Sequence, residues 1–367
     1  MDVLVLHEFH RQAGARFLDL NGMEGVRDYG DRAAEARALR ESAGILDLSF
    51  RGRLCLLGAD RRSFLNGQVT NNVKDLKTGE GCYAALVTAK GKMESDLYIY
   101  CLENEWLLDF EPGLSAGVRA RLEKYIIAED VQVAEAAPHY GLLSAQGPRA
   151  AAVLESLSLR GPPETLGVAR IKDAALGEVY VANQPRIGMA GFDLFVPADA
   201  LPAAAEALLT AARSAGGGCC GWAALETARI EAGLPRFGAD MDGTNLPPEA
   251  GLDRRAVSYS KGCYIGQEVI ARIRTYGQVA KSLRGLRLPD DLAALPGRGD
   301  KLFLGGKEAG YITSATASPA LRANIALGYV RREASQTGTG LLLETGGKRI
   351  PARIVDLPFV ASSQTYV

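Results

Sequence analysis

The stretch Ser-Tyr-Ser-Lys-Gly-Cys-Tyr-Ile-Gly-Gln-Glu-Val-Ile-Ala-Arg occupies residues 258–272, and the rest of the chain is organised around it. A short β-type run over residues 256–259 leads into a loop that contains Gly262 and Gly266, and a helical pattern follows from Glu268. Glycine permits backbone angles that other residues resist, so the loop is predicted to turn tightly or to approach a ligand closely. An acidic residue at the start of the helix suits the positive end of the helix dipole.

Cys263, in this loop, is the first candidate catalytic residue. Lys261 precedes it by two residues, Arg272 follows one or two helical turns later, and Gln267 and Glu268 complete the polar part of the motif. Nearby cations and a helix N-terminus favour the thiolate, which is the reactive and metal-ligating form of cysteine. The alternative is an inert cysteine buried in a glycine-bent loop, because free cysteine is among the most buried residue types.

The composition is that of an ordinary globular protein. The chain has 367 residues, enough for two or three domains, and 47% of them are hydrophobic and 23% charged. A net charge of -1 gives no general attraction to nucleic acid or to an anionic membrane. No apolar run is long enough for a membrane helix, and the first residues lack the features of a signal or transit peptide, so we expect a cytoplasmic protein.

The usual metal and nucleotide signatures are missing from the sequence. The six cysteines are scattered and form no C-x-x-C pair, so neither a zinc ribbon nor a disulfide framework is predicted, and no metal site is expected. The chain contains no Walker loop.

The order of strand and helix patterns predicts the fold class. Strand runs over residues 83–88, 96–102 and 106–110 predict an antiparallel meander, and strands followed by a helix recur after residue 142. Short strands separated by turn residues follow from residue 283, which is typical of a small closed barrel. We therefore predict an α+β protein with two antiparallel-sheet lobes and a C-terminal β-barrel. The predicted domains are residues 1–140, 141–280 and 281–367.

Several further segments carry motifs that can be compared with known families. They are residues 44–49, 90–97, 146–148, 228–235, 247–252, 310–314, 326–330 and 358–360. Together they resemble the superfamily of the glycine-cleavage T-protein (aminomethyltransferase) and the YgfZ folate-binding proteins, over nearly the whole chain. The resemblance implies a three-lobed, cloverleaf-like architecture with tetrahydrofolate, or a one-carbon-substituted form of it, in a central channel.

Residues 261–268 and 186–193 look closer to the YgfZ branch, because the transferase lacks the cysteine of the first segment. That branch implies a tetrahydrofolate-binding factor that supports assembly or repair of iron–sulfur enzymes, with iron–sulfur assembly or client proteins as partners. Cys263 would be its reactive or cluster-facing thiol, held as thiolate by Lys261 and Arg272. One cysteine cannot hold a cluster alone, so a partner would be needed.

The transferase branch implies an aminomethyltransferase as the alternative function. Its catalytic aspartate falls on Asp96 and its pterin-holding glutamate on Asp193, and the resemblance also puts Arg229 and Tyr264 among the folate-binding residues. A flat pterin needs a carboxylate to meet its adjacent N–H groups and an apolar slot for its ring. Both aspartates belong to strand patterns with apolar neighbours, which fits that requirement.

Two positions depart from the transferase pattern. Ser95 stands where the family has a carboxylate, and Leu225 stands where it has a folate-contacting arginine. Leucine has no N–H group that could bind a carboxylate, so Leu225 argues against aminomethyl transfer, although not against folate binding. A third hypothesis is a binding module that senses folate without chemistry.

Overall fold

The computed structural model describes residues 1–360 and consists mainly of antiparallel strands with helices packed on them. Two short 3-10 turns, Pro247–Ala250 and Arg332–Ala334, complete it. In chain order the helices and strands are α1 (His7–Gln12), β1 (Arg16–Leu20), β2 (Met23–Asp28), α2 (Arg32–Glu41), β3 (Gly44–Asp47), β4 (Gly52–Leu57), α3 (Arg61–Gln68), β5 (Gly81–Val87), β6 (Met93–Cys101), β7 (Trp106–Phe110), α4 (Ser115–Glu123), β8 (Gln132–Glu135), β9 (Tyr140–Gln146), α5 (Ala150–Ser156), β10 (Val168–Asp173), β11 (Gly177–Asn183), β12 (Gly191–Pro197), α6 (Leu201–Ser214), β13 (Gly218–Cys219), α7 (Trp222–Glu231), α8 (Gln267–Tyr276), β14 (Lys281–Arg287), β15 (Lys301–Leu304), β16 (Lys307–Ser318), β17 (Ala323–Arg331), β18 (Gly340–Thr345) and β19 (Lys348–Val355).

The first large sheet has five antiparallel strands in the order β5-β6-β7-β4-β8. One face packs against α3 and α4, where Leu65 and Leu122 join Leu97 and Trp106 in a fully buried core. Burying such side chains stabilises a fold by about 1.5–3 kcal/mol each. The antiparallel meander predicted for this part of the chain is confirmed, and it places Asp96 in the middle of β6, opposite Ala85.

The second large sheet has six strands in the order β10-β11-β12-β9-β3-β13. Helices α5 and α6 cover it through an apolar core that includes Val153, Leu194 and Leu208. Strand β3 comes from the early part of the chain, yet it lies between β9 and β13, and it pairs in parallel with β13. All four residues of β3 are buried, which explains why it occupies an interior position with a neighbour on each side.

The C-terminal strands form a closed barrel in the order β14-β17-β16-β15-β18-β19. Closure comes from the pairing of β14 with β19, which leaves no strand edge free, and Leu286, Ile312 and Leu343 fill the interior. The predicted fold class, α+β with a C-terminal barrel, is confirmed. The predicted domain limits stay predictions, and the last seven residues of the predicted barrel domain, 361–367, lie outside the described residues.

The segment around the glycine-rich loop differs in part from the prediction. Residues 256–259 form no strand, because the segment meets its neighbour through only two hydrogen bonds, from Thr70 Oγ1 to the Ala256 carbonyl at 2.6 Å and from the Ser258 N–H to the Thr70 carbonyl at 3.0 Å. The helix predicted from Glu268 is present as α8 and begins at Gln267.

None of the helices in the described part of the chain combines the length and the apolar character needed to cross a lipid bilayer.

Candidate functional site

Asp96 is a buried carboxyl group held by a tyrosine. Its side chain projects from β6, only 8% of the residue is exposed, and the Tyr83 hydroxyl donates a hydrogen bond to Oδ2 at 2.7 Å. Burial, helped by the negative charge of Glu111, raises the pKa of Asp96 to about 6, although the hydrogen bond from Tyr83 acts in the opposite direction. A carboxyl group of this kind exchanges its proton close to neutral pH, as a general acid or base must.

An aromatic pair between two arginines lies beside Asp96. The rings of Tyr83 and Tyr98 are 4.8 Å apart between centroids. The guanidinium of Arg255 lies 5.5 Å from the Tyr83 ring, and that of Arg186 lies 5.5 Å from the Tyr98 ring. Cations at this distance are attracted to the negative faces of aromatic rings, so the pair fixes the position of the Tyr83 hydroxyl.

A buried chain of ion pairs runs behind the aromatic pair. Arg51 binds Asp109 at 2.8 Å and Glu111 at 2.6 Å, while Arg186 binds Asp109 at 2.7 Å and also pairs with Asp193. Burial alone would raise the pKa of Asp109, but the guanidinium groups of Arg51 and Arg186 outweigh it and hold that pKa below its ordinary value. Asp109 therefore favours its charged form, and the ion pairs connect β7 of the first sheet to β12 of the second.

Asp193 belongs to this chain of ion pairs. Its Oδ1 accepts a hydrogen bond from Ser144 Oγ at 2.7 Å, and its Oδ2 accepts one from Arg186 Nε at 2.9 Å. Both oxygens are thus used by the protein itself, and the residue is fully buried. The pterin-binding role expected for Asp193 stays a prediction, and binding a pterin there would require these bonds to be exchanged.

A cavity of about 810 Å³ lies where the sheets, α7 and the barrel meet. Its walls are mostly apolar and come from α2, the loop after β11, α7, the segment that follows it, and both β14 and β19. Among the lining residues are Ile187, Met189, Ala228, Leu252 and Arg255. Asp96, Asp193, Arg229, Tyr264 and Cys263 are not lining residues. Arg255 lines the cavity and contacts the ring of Tyr83, whose hydroxyl binds Asp96. Tyr83 and Asp96 therefore lie directly behind the cavity wall at Arg255.

Arg229 connects α7 to the barrel. Its guanidinium pairs with Glu226 at 2.9 Å and with Asp240, and it donates a hydrogen bond to Ser314 Oγ of β16 at 2.8 Å. The residue is 4% exposed. The folate contact expected for Arg229 stays a prediction. Its N–H groups already donate to Glu226, Asp240 and Ser314, so a folate would have to replace one of these acceptors.

The glycine-rich loop is held by its lysine. Lys261 Nζ donates hydrogen bonds to the carbonyl oxygens of Asn66, Val69 and Asn71 at 2.5, 2.8 and 2.7 Å. Burial lowers the pKa of this amine to about 8, which still leaves it mainly protonated at neutral pH. The ammonium also lies 5.0 Å from the ring centroid of Tyr264, a buried residue of the neighbouring core. Lys261 is therefore an anchor for the loop.

The expectation that Lys261 and Arg272 hold Cys263 as a thiolate is wrong. Lys261 is committed to backbone carbonyls, and Arg272 pairs along the exposed face of α8 with Glu268 at 2.9 Å. Cys263 is exposed. Arg272 pairs with Glu268 and not with the cysteine because side chains four residues apart lie on the same face of α8. Within residues 1–360, no group of three or more His, Cys, Asp or Glu side chains is placed to hold a metal ion.

The sequence reasoning missed the arginines of the site. Arg51, Arg186 and Arg255 were not candidates, although Arg51 and its neighbour Arg53 stand in an apolar strand region where charges are unusual. That pattern was a usable signal for a buried ion pair. For Arg255 no local signal existed, because the tyrosine that it contacts lies in another part of the chain.

Two large sheets with helices packed on them, a closed barrel and a central cavity between these parts are typical of a ligand-binding protein. The chain belongs to the glycine cleavage T-protein family: the family model for the GCVT N-terminal domain matches residues 6–261, and the model for the glycine cleavage T-protein C-terminal barrel domain matches residues 281–361. Members of this family use tetrahydrofolate as the one-carbon carrier, so the expected folate cofactor is supported.

Similar proteins cover the chain almost completely. An aminomethyltransferase of Shouchella clausii is 30% identical over 96% of both chains, and one of Ralstonia pickettii is 31% identical over 99% of this chain and 98% of its own. The crystal structure of the glycine cleavage system aminomethyltransferase T from Bartonella henselae superposes with a TM-score of 0.88, at 27% identity and over 98% of each chain.

These comparisons correct the functional prediction. A factor for iron–sulfur enzymes is wrong as the leading function, because the similar full-length chains are named aminomethyltransferase. The expected iron–sulfur partners have no support either. The physical reason is that Cys263 is exposed, while Lys261 binds backbone carbonyls and Arg272 pairs with Glu268, so the two cations on which that prediction depended have other partners.

Proposed function

We propose that this protein is a folate-dependent aminomethyltransferase, which moves a one-carbon unit from an amine donor to tetrahydrofolate. The observation that carries the proposal is the buried Asp96 carboxyl group, held by Tyr83 and with its pKa raised to about 6, behind the cavity wall at Arg255. The names of the similar proteins support the same activity.

The cavity fits a ligand of the size of a folate. Its volume of about 810 Å³ falls within the range of about 300–1,000 Å³ that is usual for small-molecule sites. Ile187, Met189 and Leu252 provide apolar walls for a flat ring. Glu231 also lines the cavity, and it uses Oε1 to accept hydrogen bonds from Ser318 and Ala320, while Oε2 accepts none from any described residue. That second oxygen is available to the N–H groups of a pterin.

The proposed chemistry depends on whether the Asp96 carboxyl group carries its proton. Bound tetrahydrofolate supplies the nucleophilic nitrogen that accepts the one-carbon unit. Above pH 6 the Asp96 carboxylate is ionised, so it accepts a proton from the donor amine or stabilises positive charge that develops on it. Tyr83 donates to Oδ2 and orients the carboxylate, and the apolar walls keep water from the reacting groups.

The departures from the transferase pattern bear on how the folate is held and on the charge beside Asp96. Leu225 packs in the apolar cluster with Ile187 and Trp222, so α7 places no guanidinium at that point. Ser95 is fully buried and its hydroxyl binds the Asp96 carbonyl at 3.0 Å, so it adds no second charge beside Asp96. We infer that the folate is held here without the arginine of the family pattern and that Asp96 acts without a neighbouring carboxylate.

Three finer expectations from the sequence stay predictions within this proposal. One is that residues 261–268 place the chain nearer to the YgfZ branch of the superfamily. Another is the cytoplasmic location. The last is that Asp193, Arg229, Tyr264 and the loop around Cys263 take part in the site. In support of a structural contribution, Asp193 pairs with Arg186, Arg229 pairs with Asp240, and Lys261 anchors the loop.

The experiment combines the purified protein, tetrahydrofolate and an aminomethyl-lipoyl carrier, and it measures the release of ammonia together with the formation of methylene-tetrahydrofolate. Asp96→Asn is expected to lower kcat at least about 100-fold, because the loss of a general base costs that much, while the affinity for tetrahydrofolate stays similar. Glu344→Gln, which removes an exposed carboxylate of the barrel, is the control and is expected to keep full activity. Unchanged turnover in Asp96→Asn would refute the proposal.

A further inference from the structure

The lining of the central cavity contains charged residues of both signs. Three arginines, Arg40, Arg255 and Arg284, contribute to its lining. Arg40 lies within 3.3 Å of Glu41, so its charge has a partner. Arg284 lies on β14 of the barrel. Arg255 is the arginine at the wall that separates the cavity from Asp96.

Arg255 has no acidic partner among the residues that the structure describes. It is half-buried, and its guanidinium faces the Tyr83 ring at 5.5 Å. Contact with a ring face attracts the positive charge but leaves the N–H donors of the guanidinium unused. A half-buried guanidinium with free donors at a cavity wall is suited to a carboxylate, which it can bind through two parallel hydrogen bonds.

The acids that line the cavity do not neutralise Arg255. Glu231 accepts its hydrogen bonds from Ser318 and Ala320, and Asp356 accepts one from Thr337 Oγ1 at 2.6 Å. Neither forms an ion pair with an arginine or lysine in the described part of the chain. Arg255 therefore keeps its positive charge without an acidic partner in the described part of the chain, and an anionic group of a ligand is attracted to it.

We propose that Arg255 is the carboxylate-binding residue of this cavity. The inference rests on the proposed function and deepens it, because α7 carries Leu225 and the cation comes instead from the segment after the 3-10 turn Pro247–Ala250. Two ligands bring a carboxylate to this wall: the glutamate end of a folate, or a small amine donor that is itself an amino acid. Since Arg255 contacts Tyr83 and Tyr83 binds Asp96, the bound carboxylate lies at the reacting end of the cavity.

The test compares Arg255→Gln with Arg254→Gln, which removes the same charge from the adjacent, exposed residue that does not line this cavity. Three probes are titrated into each protein under anaerobic conditions: tetrahydrofolate, tetrahydropteroate, which lacks the glutamate, and N-methylglycine with and without tetrahydrofolate. Calorimetry measures the folate probes, and saturation-transfer NMR measures N-methylglycine. Arg255→Lys keeps the charge without the bidentate geometry, and it serves as a second variant if the glutamine variant does not fold.

Arg255→Gln is expected to weaken one carboxylate probe about 10- to 100-fold, the range for a lost charge-assisted pair of hydrogen bonds, and Arg255→Lys is expected to weaken it less. A loss for tetrahydrofolate but not for tetrahydropteroate identifies the folate glutamate as the ligand group. A loss confined to N-methylglycine identifies an amino-acid donor. Equal affinities of the Arg255 and Arg254 variants for all three probes would overturn the inference.

Failure of the proposed function would look different. A wild-type protein that binds neither folate probe contradicts the folate-dependent activity, whereas the N-methylglycine titration without folate still tests Arg255. A protein that binds both folate probes with unchanged affinity in every variant, and binds no N-methylglycine, keeps the proposed function and removes only the role of Arg255.

Discussion

Asp96 and Asp109 are buried aspartates of the same sheet, yet their carboxyl pKa values move in opposite directions. Asp109 has two guanidinium partners, and its pKa is lowered, while Asp96 has a tyrosine hydroxyl and the nearby charge of Glu111, and its pKa is raised to about 6. Burial penalises both anions, so the partner decides the sign. The aspartate that lacks a cation is the one next to the cavity wall, where a ligand can change its environment.

The first prediction concerns the stability cost of keeping Asp96 ionised. Its folded pKa of about 6 exceeds the ordinary 3.8, so the folded state binds this proton more tightly than the unfolded state does. The contribution of Asp96 to stability is therefore lost as pH rises from about 4 to about 6. Asp96→Asn removes that loss, and we expect it to be more stable than wild type by about 2–3 kcal/mol at pH 7.5, from 1.36 kcal/mol per pKa unit.

Urea unfolding of both proteins at pH 4.5, 6.0 and 7.5 checks this prediction. The difference in the free energy of unfolding should grow mostly between the first two values and by only about 0.4 kcal/mol more between the last two. A variant that is less stable than wild type at pH 7.5 would mean that Asp96 has a cationic partner in solution.

The second prediction concerns the arginine between two carboxylates. Arg186→Met removes the cation shared by Asp109 and Asp193 and leaves both buried charges without it, so it should destabilise the fold by about 3–5 kcal/mol. Arg272→Gln, which breaks the exposed pair with Glu268, should cost less than about 0.5 kcal/mol. Urea titrations at neutral pH measure both. Comparable losses in the two variants would show that the buried pairs are not what holds the sheets together.

At the scale of single elements, the start of α8 depends on one glycine. Gly266 precedes the helix with φ of 83°, a region that favours glycine, and a Cβ added there would lie 2.5 Å from the Thr88 carbonyl oxygen. Gly262, in the same loop, has no positive φ and has no atom within 4 Å of such a Cβ. The two glycines look equivalent in the sequence, but only one is needed for its conformation.

The third prediction follows from this difference. Gly266→Ala should lower the free energy of unfolding by about 2–4 kcal/mol, from the backbone conformation and the contact with Thr88 together. Gly262→Ala should change it by less than about 0.5 kcal/mol. Chemical denaturation of the two variants in parallel provides the measurement. Tolerance of alanine at both positions would contradict the close approach of the loop to the first sheet.

At the scale of the whole molecule, α7 holds the parts together through charges and apolar contacts. Trp222 at its start packs on Phe50, and Ile230 near its end packs against Leu327 and Tyr329 of the barrel. Between them Arg229 reaches Asp240, whose carboxylate also accepts hydrogen bonds from Thr313 and Ser314 on β16. The shape of the cavity therefore depends on the position of the barrel against α7.

The fourth prediction tests this connection. Asp240→Ala leaves the buried Arg229 without its carboxylate on the barrel side, and it should destabilise the fold by about 3–5 kcal/mol and speed amide exchange in β16 more than in β6. The control is Asp242→Ala, which breaks a half-exposed pair with Arg298. Hydrogen-exchange mass spectrometry of both variants compares the two strands. Equal acceleration in β6 and β16 would mean that the barrel and the first sheet open as one unit.

Much of the fold could be read from local patterns. The sequence predicts the meander and the barrel strands because alternation and turn residues are short-range properties. The candidate site was read only in part. Asp96 was placed on its strand, and the motif at residues 261–268 was noticed, but its cysteine was given a role that its surroundings do not support.

By itself the sequence determined the types of element, the family and the strand that bears Asp96, since these depend on residues close together in the chain. Only the tertiary structure decided which charges meet. It paired Arg186 with Asp109 and Asp193, assigned Lys261 to backbone carbonyls instead of a thiol, and brought Arg255 to Tyr83 at the cavity wall. A buried carboxyl group keeps its proton or loses it according to the partner that folding brings to it, as Asp96 and Asp109 show. That partner lies too far along the chain for a local pattern to reveal.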